Sequence, residues 1–298
     1  MEKAPDISII GPGKVGTAIG VLASRAHLPV VAVAGGGPGH AERAAEAIGP
    51  SVVACSVTEA AAAGGLVLLT VPDGAIAGLC EHLAAREAFA PGAIVAHCCG
   101  ALTSEVLAPA RDRCRCRVGS MHPLQTFPTA EAALERLAGT YCFCEGDEGA
   151  VEALMRLAEA IGGRAVRIDP AGKALYHAAA AVACNYLVVL LDAAATLAAG
   201  AGVDRATWLA AVGPIAHATV DNVAHLGPAA ALTGPIARGD VATVAAHVAA
   251  MGGCDRRLRE LYAAAGRYAL ELAGEKGTLD ESARDALRTA LETLTARE

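Results

Sequence analysis

The segment Gly11-Pro12-Gly13-Lys14-Val15-Gly16 follows the apolar run Ile7–Ile10 directly and leads into an Ala- and Leu-bearing stretch. A short run of three isoleucines around Ser8, closed by a glycine, reads as a buried strand, and the residues beyond Val15 recur at helical spacing. The glycines between them have separate jobs. Gly11 permits the tight turn, Gly13 lets the backbone approach whatever lies above it, and Gly16 lets the helix sit close on the strand. A strand that turns so sharply into a helix is the opening unit of a parallel α/β sheet.

The next 150 or so residues keep that rhythm. Strands are expected at 7–10, 30–34, 66–71, 93–96, 117–120, 141–144 and 165–168, and helices at 40–48, 75–86, 103–107 and 148–161. Alternation of this kind predicts a doubly wound parallel sheet, the Rossmann architecture, with helices on both faces. Beyond Asp169 the strand patterns stop. Residues 172–199 read as one long helix, 204–226 as a second that Pro214 should kink or break, and 241–251, 255–273 and 280–297 as three more. The expected organisation is a dinucleotide-binding domain over 1–169 and an all-α substrate and dimerisation domain over 170–298.

Composition narrows the function classes. Of 298 residues, 54% are apolar and 18% charged, which excludes a largely disordered chain. The net charge is −7 and no run of basic residues occurs, so nucleic acid is not an expected partner. The longest apolar run, 178–201, is Ala-dominated and interrupted by Asn185 and Asp192. It is expected to be a buried core helix, with no role for a membrane. The first ten residues lack a basic and then apolar leader pattern, and the ten cysteines then read as reduced thiols of a cytoplasmic protein. Their spacings, including Cys114/Cys116 and Cys142/Cys144, match no metal-ligand pattern, so no metal is expected.

In its strand–turn–helix setting, the Gly11–Gly16 loop predicts a dinucleotide cofactor, its pyrophosphate on the helix N-terminus. The second strand ends in Gly35-Gly36-Gly37-Pro38-Gly39-His40, with no carboxylate before Glu42. An acid at that place would bond the ribose hydroxyls of NAD; an open glycine loop with His40 and Arg43 nearby favours the 2′-phosphate, hence NADP(H) over NAD(H). Ligands of such sheets lie at the carboxyl ends of strands, which brings Val71, Pro72, His97 and Cys99 to the cofactor crevice. Asp73 can serve there or cap the helix that follows.

Several segments together resemble a known family. They are the glycine loop, Val71-Pro72-Asp73, His97-Cys98-Cys99-Gly100, Met121-His122-Pro123-Leu124-Gln125, Lys173-Ala174-Leu175-Tyr176-His177 with Asn185-Tyr186-Leu187, and Thr233-Gly234-Pro235-Ile236-Ala237-Arg238-Gly239-Asp240. In this order they resemble Rossmann-like NADP-dependent oxidoreductases whose helical C-terminal half is a domain of unknown function. That group is related to ketopantoate reductase, pyrroline-carboxylate reductase, 6-phosphogluconate dehydrogenase and F420-dependent NADP reductase. The resemblance implies a 6-phosphogluconate-dehydrogenase-like fold, NADP, a homodimer through the helical domain, and a small 2-oxo acid substrate such as ketopantoate. Two departures stand out: Cys99 where the family has Ser, and Gly35-Gly36 where it often has Ser-Arg.

Hydride reduction of a carbonyl needs a donor for the developing alkoxide and a grip on the rest of the substrate. Lys173, at the start of the first helix beyond the α/β half, is the expected donor, and the related reductases place a Lys there too. His177 lies one turn on, on the same face, to share the proton or bond the substrate; the alternative is a satisfied core histidine. Asn185, in an apolar helix, must find a partner once buried, substrate or backbone. His122 and His97 end successive strands at the crevice and either orient ligands or stabilise turns. Thr233 and Arg238 are the expected substrate-binding residues, although an Arg238–Asp240 turn lock accounts for the arginine equally well. Two other functions fit the same sequence: reduction of an imine or a flavin-like cofactor, and a non-catalytic NADP-binding sensor.

Overall fold

A computed structural model describes residues 4–127, 129–277 and 279–296. The chain forms two compact units, Met1–Cys184 and Asn185–Glu298. In the first, the elements run β1 (Ile7–Ile10), α1 (Lys14–Arg25), β2 (Val30–Ala34), α2 (His40–Ile48), β3 (Val53–Cys55), α3 (Val57–Ala63), β4 (Leu66–Leu69) and α4 (Asp73–Ala84). They continue with β5 (Ile94–His97), a 3₁₀ turn at Ser104–Leu107, α5 (Ala108–Cys114), β6 (Arg117–Pro123), α6 (Ala130–Arg136), β7 (Tyr141–Gly146), α7 (Glu148–Ala160), β8 (Arg164–Arg167) and α8 (Lys173–Ala180).

All eight strands share one sheet in the order β3-β2-β1-β4-β5-β6-β7-β8. The first six are mutually parallel, as a doubly wound sheet requires. The expectation of a wholly parallel sheet is corrected at β7, which runs antiparallel to β6, with β8 parallel to β7. The chain leaves β6 and re-enters at β7 from the same edge through the short α6, so no crossover turns the strand over. Four short elements were not expected: β3, α3, α5 and α6. The edge strand β3 has only three residues, too few for a period-2 pattern. The helix α3 opens on a capping box, Ser56 with Glu59, a readable signal that the weak apolar periodicity conceals. Asp73 is the first residue of α4 rather than its cap; Pro72 holds that place.

The core lies on both faces of the sheet. Along β4, Leu66 and Leu68 pack into one layer and Val67 and Leu69 into the other, all at 0–1% exposure. Burial on both faces explains why the strand reads as an unbroken apolar run. Each such side chain contributes roughly 1.5–3 kcal/mol, which anchors the strand ends that carry the glycine loops.

The second unit is helical: α9 (Tyr186–Gly200), α10 (Arg205–Leu226), α11 (Pro228–Ala231), α12 (Val241–Ala250), α13 (Arg256–Glu275) and α14 (Glu281–Ala296). Its core is built by α12, α13 and α14 around Val244, Val248, Ala263, Leu270, Leu287 and Leu291. Arg297, expected at the end of the last helix, lies outside the described residues.

Three expectations are corrected here. Pro214 does not break α10, which runs through it for 22 residues, because a proline removes one ladder bond and leaves the others in place. The long helix expected at 172–199 is interrupted by a π-turn, Ala181–Asn185, which separates α8 from α9, and the chain divides into its compact units at Cys184/Asn185. Nor is that stretch a buried core helix. Pro170–Gly200 is long and apolar enough to cross a membrane, yet within one chain only 6% of its apolar window is buried.

Candidate active site

At the carboxyl ends of β1, β2 and β4 the glycine loop forms a cradle. Gly11 has φ +101°, and a Cβ on it would stand 2.6 Å from the Val71 amide nitrogen. A Cβ on Gly16 would stand 2.7 Å from the Gly11 carbonyl oxygen, so α1 crosses β1 closely only because that atom is absent. The Thr70 hydroxyl donates to the Gly11 oxygen at 2.7 Å and Thr17 Oγ1 donates to the Pro12 oxygen at 3.1 Å, which fixes the loop. Gly13 differs: a Cβ there would meet nothing within 4 Å. It faces a pocket of about 540 Å³ lined by the Gly11–Lys14 segment, Gly36, His40 and Thr70–Pro72, with no carboxylate among its lining residues. Val15 packs against the sheet core instead. Gly35 and Gly36 have φ +89° and +84°. His40 Nδ1 accepts from the Gly37 amide at 3.0 Å, so this imidazole folds back into the loop. The Arg43 guanidinium reaches over the loop, 3.2 Å from where a Gly39 Cβ would be.

One strand further along, His97 and Cys99 turn inward. His97 is fully buried; its Nδ1 accepts from the Cys99 amide at 3.1 Å and its Nε2 meets the Thr103 carbonyl at 3.2 Å. Burial, helped by the Lys173 charge, pulls His97 down to about 4. Cys99 Sγ accepts from the Leu102 amide at 3.3 Å, and burial raises its thiol above the ordinary range. Both residues hold the 97–104 turn together, and neither lines the glycine-loop pocket.

The antiparallel pairing of β6 with β7 sets Ser120 opposite Glu145 and His122 opposite Phe143. All four share one sheet face, because alternate and directly paired residues do. The first turn of α8 lies on it. The Lys173 ammonium donates to Glu145 Oε1 at 2.7 Å and to the Ser120 hydroxyl. Glu145 also accepts from the Ser104 amide and hydroxyl, each at 2.8 Å. Both side chains of the ion pair are 0% exposed. Burial pulls the Lys173 ammonium below its ordinary range, and the Glu145 carboxylate opposes that pull. The expected proton donor is therefore enclosed beneath the surface of the site.

Three residues on, Tyr176 reaches the second cross-strand pair. Its hydroxyl lies 2.8 Å from His122 Nδ1, and its ring packs on Phe143 with centroids 4.5 Å apart. Burial raises Tyr176 to about 12 and, with the neighbouring His177 and Lys173, lowers His122 to about 4. His177 stands edge-on to His122 at 5.8 Å. The structure thus sets His122 beside His177, and adds Tyr176, Glu145, Ser120 and Ser104. Glu145 was readable as a lone acid inside the apolar strand Tyr141–Gly146; the serines carried no comparable mark.

The remaining expected residues lie in the helical unit. Asn185 is exposed, not buried in need of a partner. Thr233 and Arg238, both exposed, line a pocket of about 410 Å³ with Lys276. Asp240 caps α12 by accepting from the Thr243 amide at 3.0 Å. Among the described residues, no group of three His, Cys, Asp or Glu is placed to hold a metal ion.

Two outcomes follow for stability. Removing one member of a buried ion pair strands the other charge, so Lys173→Met or Glu145→Gln alone should cost about 3–5 kcal/mol in urea unfolding at pH 7. The double variant should recover most of that loss. His97 is about 2.5 units below its ordinary 6.5. The unfolded chain therefore binds the extra proton first, and stability present above pH 6.5 should fall by roughly 3 kcal/mol as pH drops toward 4. Urea unfolding free energies that stay flat between pH 6.5 and 4.5 would contradict this.

Residues 3–123 match the family model of a Rossmann-like domain, and residues 140–269 match that of a domain of unknown function, DUF2520. No protein of curated function matches the chain. Among solved structures it is similar to a Bacteroides fragilis protein described as an NADP oxidoreductase, 22% identical with a TM-score of 0.68, over 90% of this chain and 99% of that one. An imine reductase from Pseudomonas is 18% identical with a TM-score of 0.60, over 98% and 96%. A reductive aminase from Aspergillus terreus, in complex with NADPH and ethyl levulinate, is 15% identical with a TM-score of 0.56, over 99% and 95%. At these identities the likeness is one of fold. The two family models match in succession, the Rossmann-like domain first and the DUF2520 domain after it.

Proposed function

We propose that the protein is an NADPH-dependent oxidoreductase that reduces a carbonyl group of a small molecule. The observation that carries this is the presence, in one unit, of an acid-free dinucleotide cradle and a Tyr176–His122 pair with His177 beside it. The cradle fits the cofactor. Gly13 leaves open space where a backbone must approach a pyrophosphate, and α1 begins at Lys14 with no side-chain cap, so its first amides are free to bond phosphate oxygens. NADP(H) is favoured over NAD(H) by the glycine loop at the end of β2, the absence of a carboxylate in the pocket lining, and Arg43 over that loop.

When bound, the nicotinamide supplies a hydride. The residues of this chain then handle the proton. His122 and Tyr176 share one hydrogen bond, and whichever way its proton lies the pair keeps one free donor for the developing alkoxide. Lys173 acts from behind, as a positioning residue that holds α8 on Ser120 and Glu145. Small 2-oxo acids, ketopantoate among them, form the first substrate panel, with Thr233 and Arg238 as candidates for gripping the carboxylate. The likeness to an imine reductase and a reductive aminase favours a second reading, imine reduction at the same residues.

The helical unit supports a homodimer. α10 has no buried residue, and Ile215, Val220 and Leu226 on it are 54–66% exposed. Such a face needs cover. A second copy suits it better than a bilayer, because α10 opens on the charged pair Arg205–Asp192, tied to α9. Ile215→Glu is expected to halve the mass seen by sedimentation velocity; an unchanged mass would remove this face from the interface. For the activity, fluorescence titration should show NADPH binding at least 10-fold tighter than NADH. Tyr176→Phe should keep that binding and lower kcat by roughly 10²–10⁴-fold on whichever carbonyl substrate turns over.

A further inference from the structure

His177 lies half-buried on α8, and its Nδ1 is enclosed with no hydrogen-bond partner. Gly100 stands against that nitrogen. A Cβ on Gly100 would lie 2.6 Å from His177 Nδ1 and 2.8 Å from both Cε1 and Nε2 of His122. Gly100 is not among the glycines with positive φ, so its backbone makes no demand for glycine. What excludes a side chain is the two rings.

In glycine a hydrogen takes the place of Cβ, so Nδ1 faces an aliphatic C–H. A bare ring lone pair accepts such a neighbour as a weak hydrogen bond. An N–H at Nδ1 would press hydrogen against hydrogen and find no acceptor. The ring proton therefore sits on Nε2, the nitrogen that is not enclosed.

We propose that Gly100 fixes His177 as an Nε2–H donor, so that with the His122–Tyr176 pair the site presents two donors and selects a carbonyl oxygen over a protonated imine. Two donors converge well on an oxygen that accepts, and an iminium N–H facing them meets like with like. The step balances: the carbonyl carbon gains a hydride from the reduced nicotinamide, the π pair moves to oxygen, and the oxygen takes a proton from the His122–Tyr176 pair. His177 keeps its proton and only bonds the oxygen. The choice of substrate rests on the reductase reading above; the tautomer does not.

The test uses the full-length protein labelled with ¹⁵N-histidine. Long-range ¹H–¹⁵N spectra distinguish the two tautomers, and the pattern that disappears in His177→Gln identifies His177. The expected pattern is Nε2–H, and Gly100→Ala should move the His177 and His122 patterns while NADPH affinity stays within 2-fold. With NADPH, a cyclic ketone should be reduced at least 10-fold faster than the cyclic imine of the same ring size. His177→Gln should lose at least 10-fold in kcat on the ketone. An Nδ1–H pattern, or an imine reduced faster than its ketone, overturns the inference. Failure to bind NADPH overturns the reductase reading and the substrate choice with it, and the spectra still decide the tautomer.

Discussion

The pairing register of β6 with β7 is the constraint on which the site depends. It sets Ser120 against Glu145 and His122 against Phe143, two rungs of one ladder. The first turn of α8 answers each rung with a residue three positions apart, Lys173 on the first and Tyr176 on the second. A slip of β7 by one residue would turn Glu145 and Phe143 to the other face of the sheet, away from Ser120 and His122. The buried ion pair makes that slip costly, because it would leave an ammonium and a carboxylate apart in the interior. The interaction with the least access to solvent thus holds the groups with the most chemistry.

The same pair ties in a third element. Through Ser104, Glu145 also fixes the end of the turn that begins at His97, and His97 and Cys99 staple that turn from within. Gly100 sits in the middle of it. Its contact with both imidazoles therefore depends on hydrogen bonds made several residues away on either side. Cys99, in the place where related proteins carry serine, acts here as an acceptor for a backbone amide.

Much of this architecture was legible in the sequence. The Gly11–Gly16 loop and the strands at 7–10 and 30–34 stand where local pattern puts them, because fully buried parallel strands are near-continuous apolar runs. The change from α/β to all-α texture was equally plain. The reversal of β7 was not, since strand direction depends on where the connection packs and not on the strand's own residues. At the site, His122, His177 and Lys173 stood out by their motifs, but the burial of Lys173 could not be read, because the acid that receives it lies 28 residues earlier on an antiparallel strand. The long apolar helix was misjudged for a related reason: Ala-rich periodicity reports that a face wants cover and says nothing of who provides it.

The cysteines of this fold carry a consequence for its chemistry with oxidants. Seven of the ten thiols, at 55, 80, 98, 99, 116, 142 and 144, are made weaker acids than usual by burial. The reactive form of cysteine is the thiolate, so the sheet surrounds its polar cluster with sulfur that stays protonated and slow to oxidise. Cys184, in the π-turn between α8 and α9, is the exposed one among the ten cysteines. A peroxide or an alkylating probe would therefore reach this molecule first at that turn and last within the sheet.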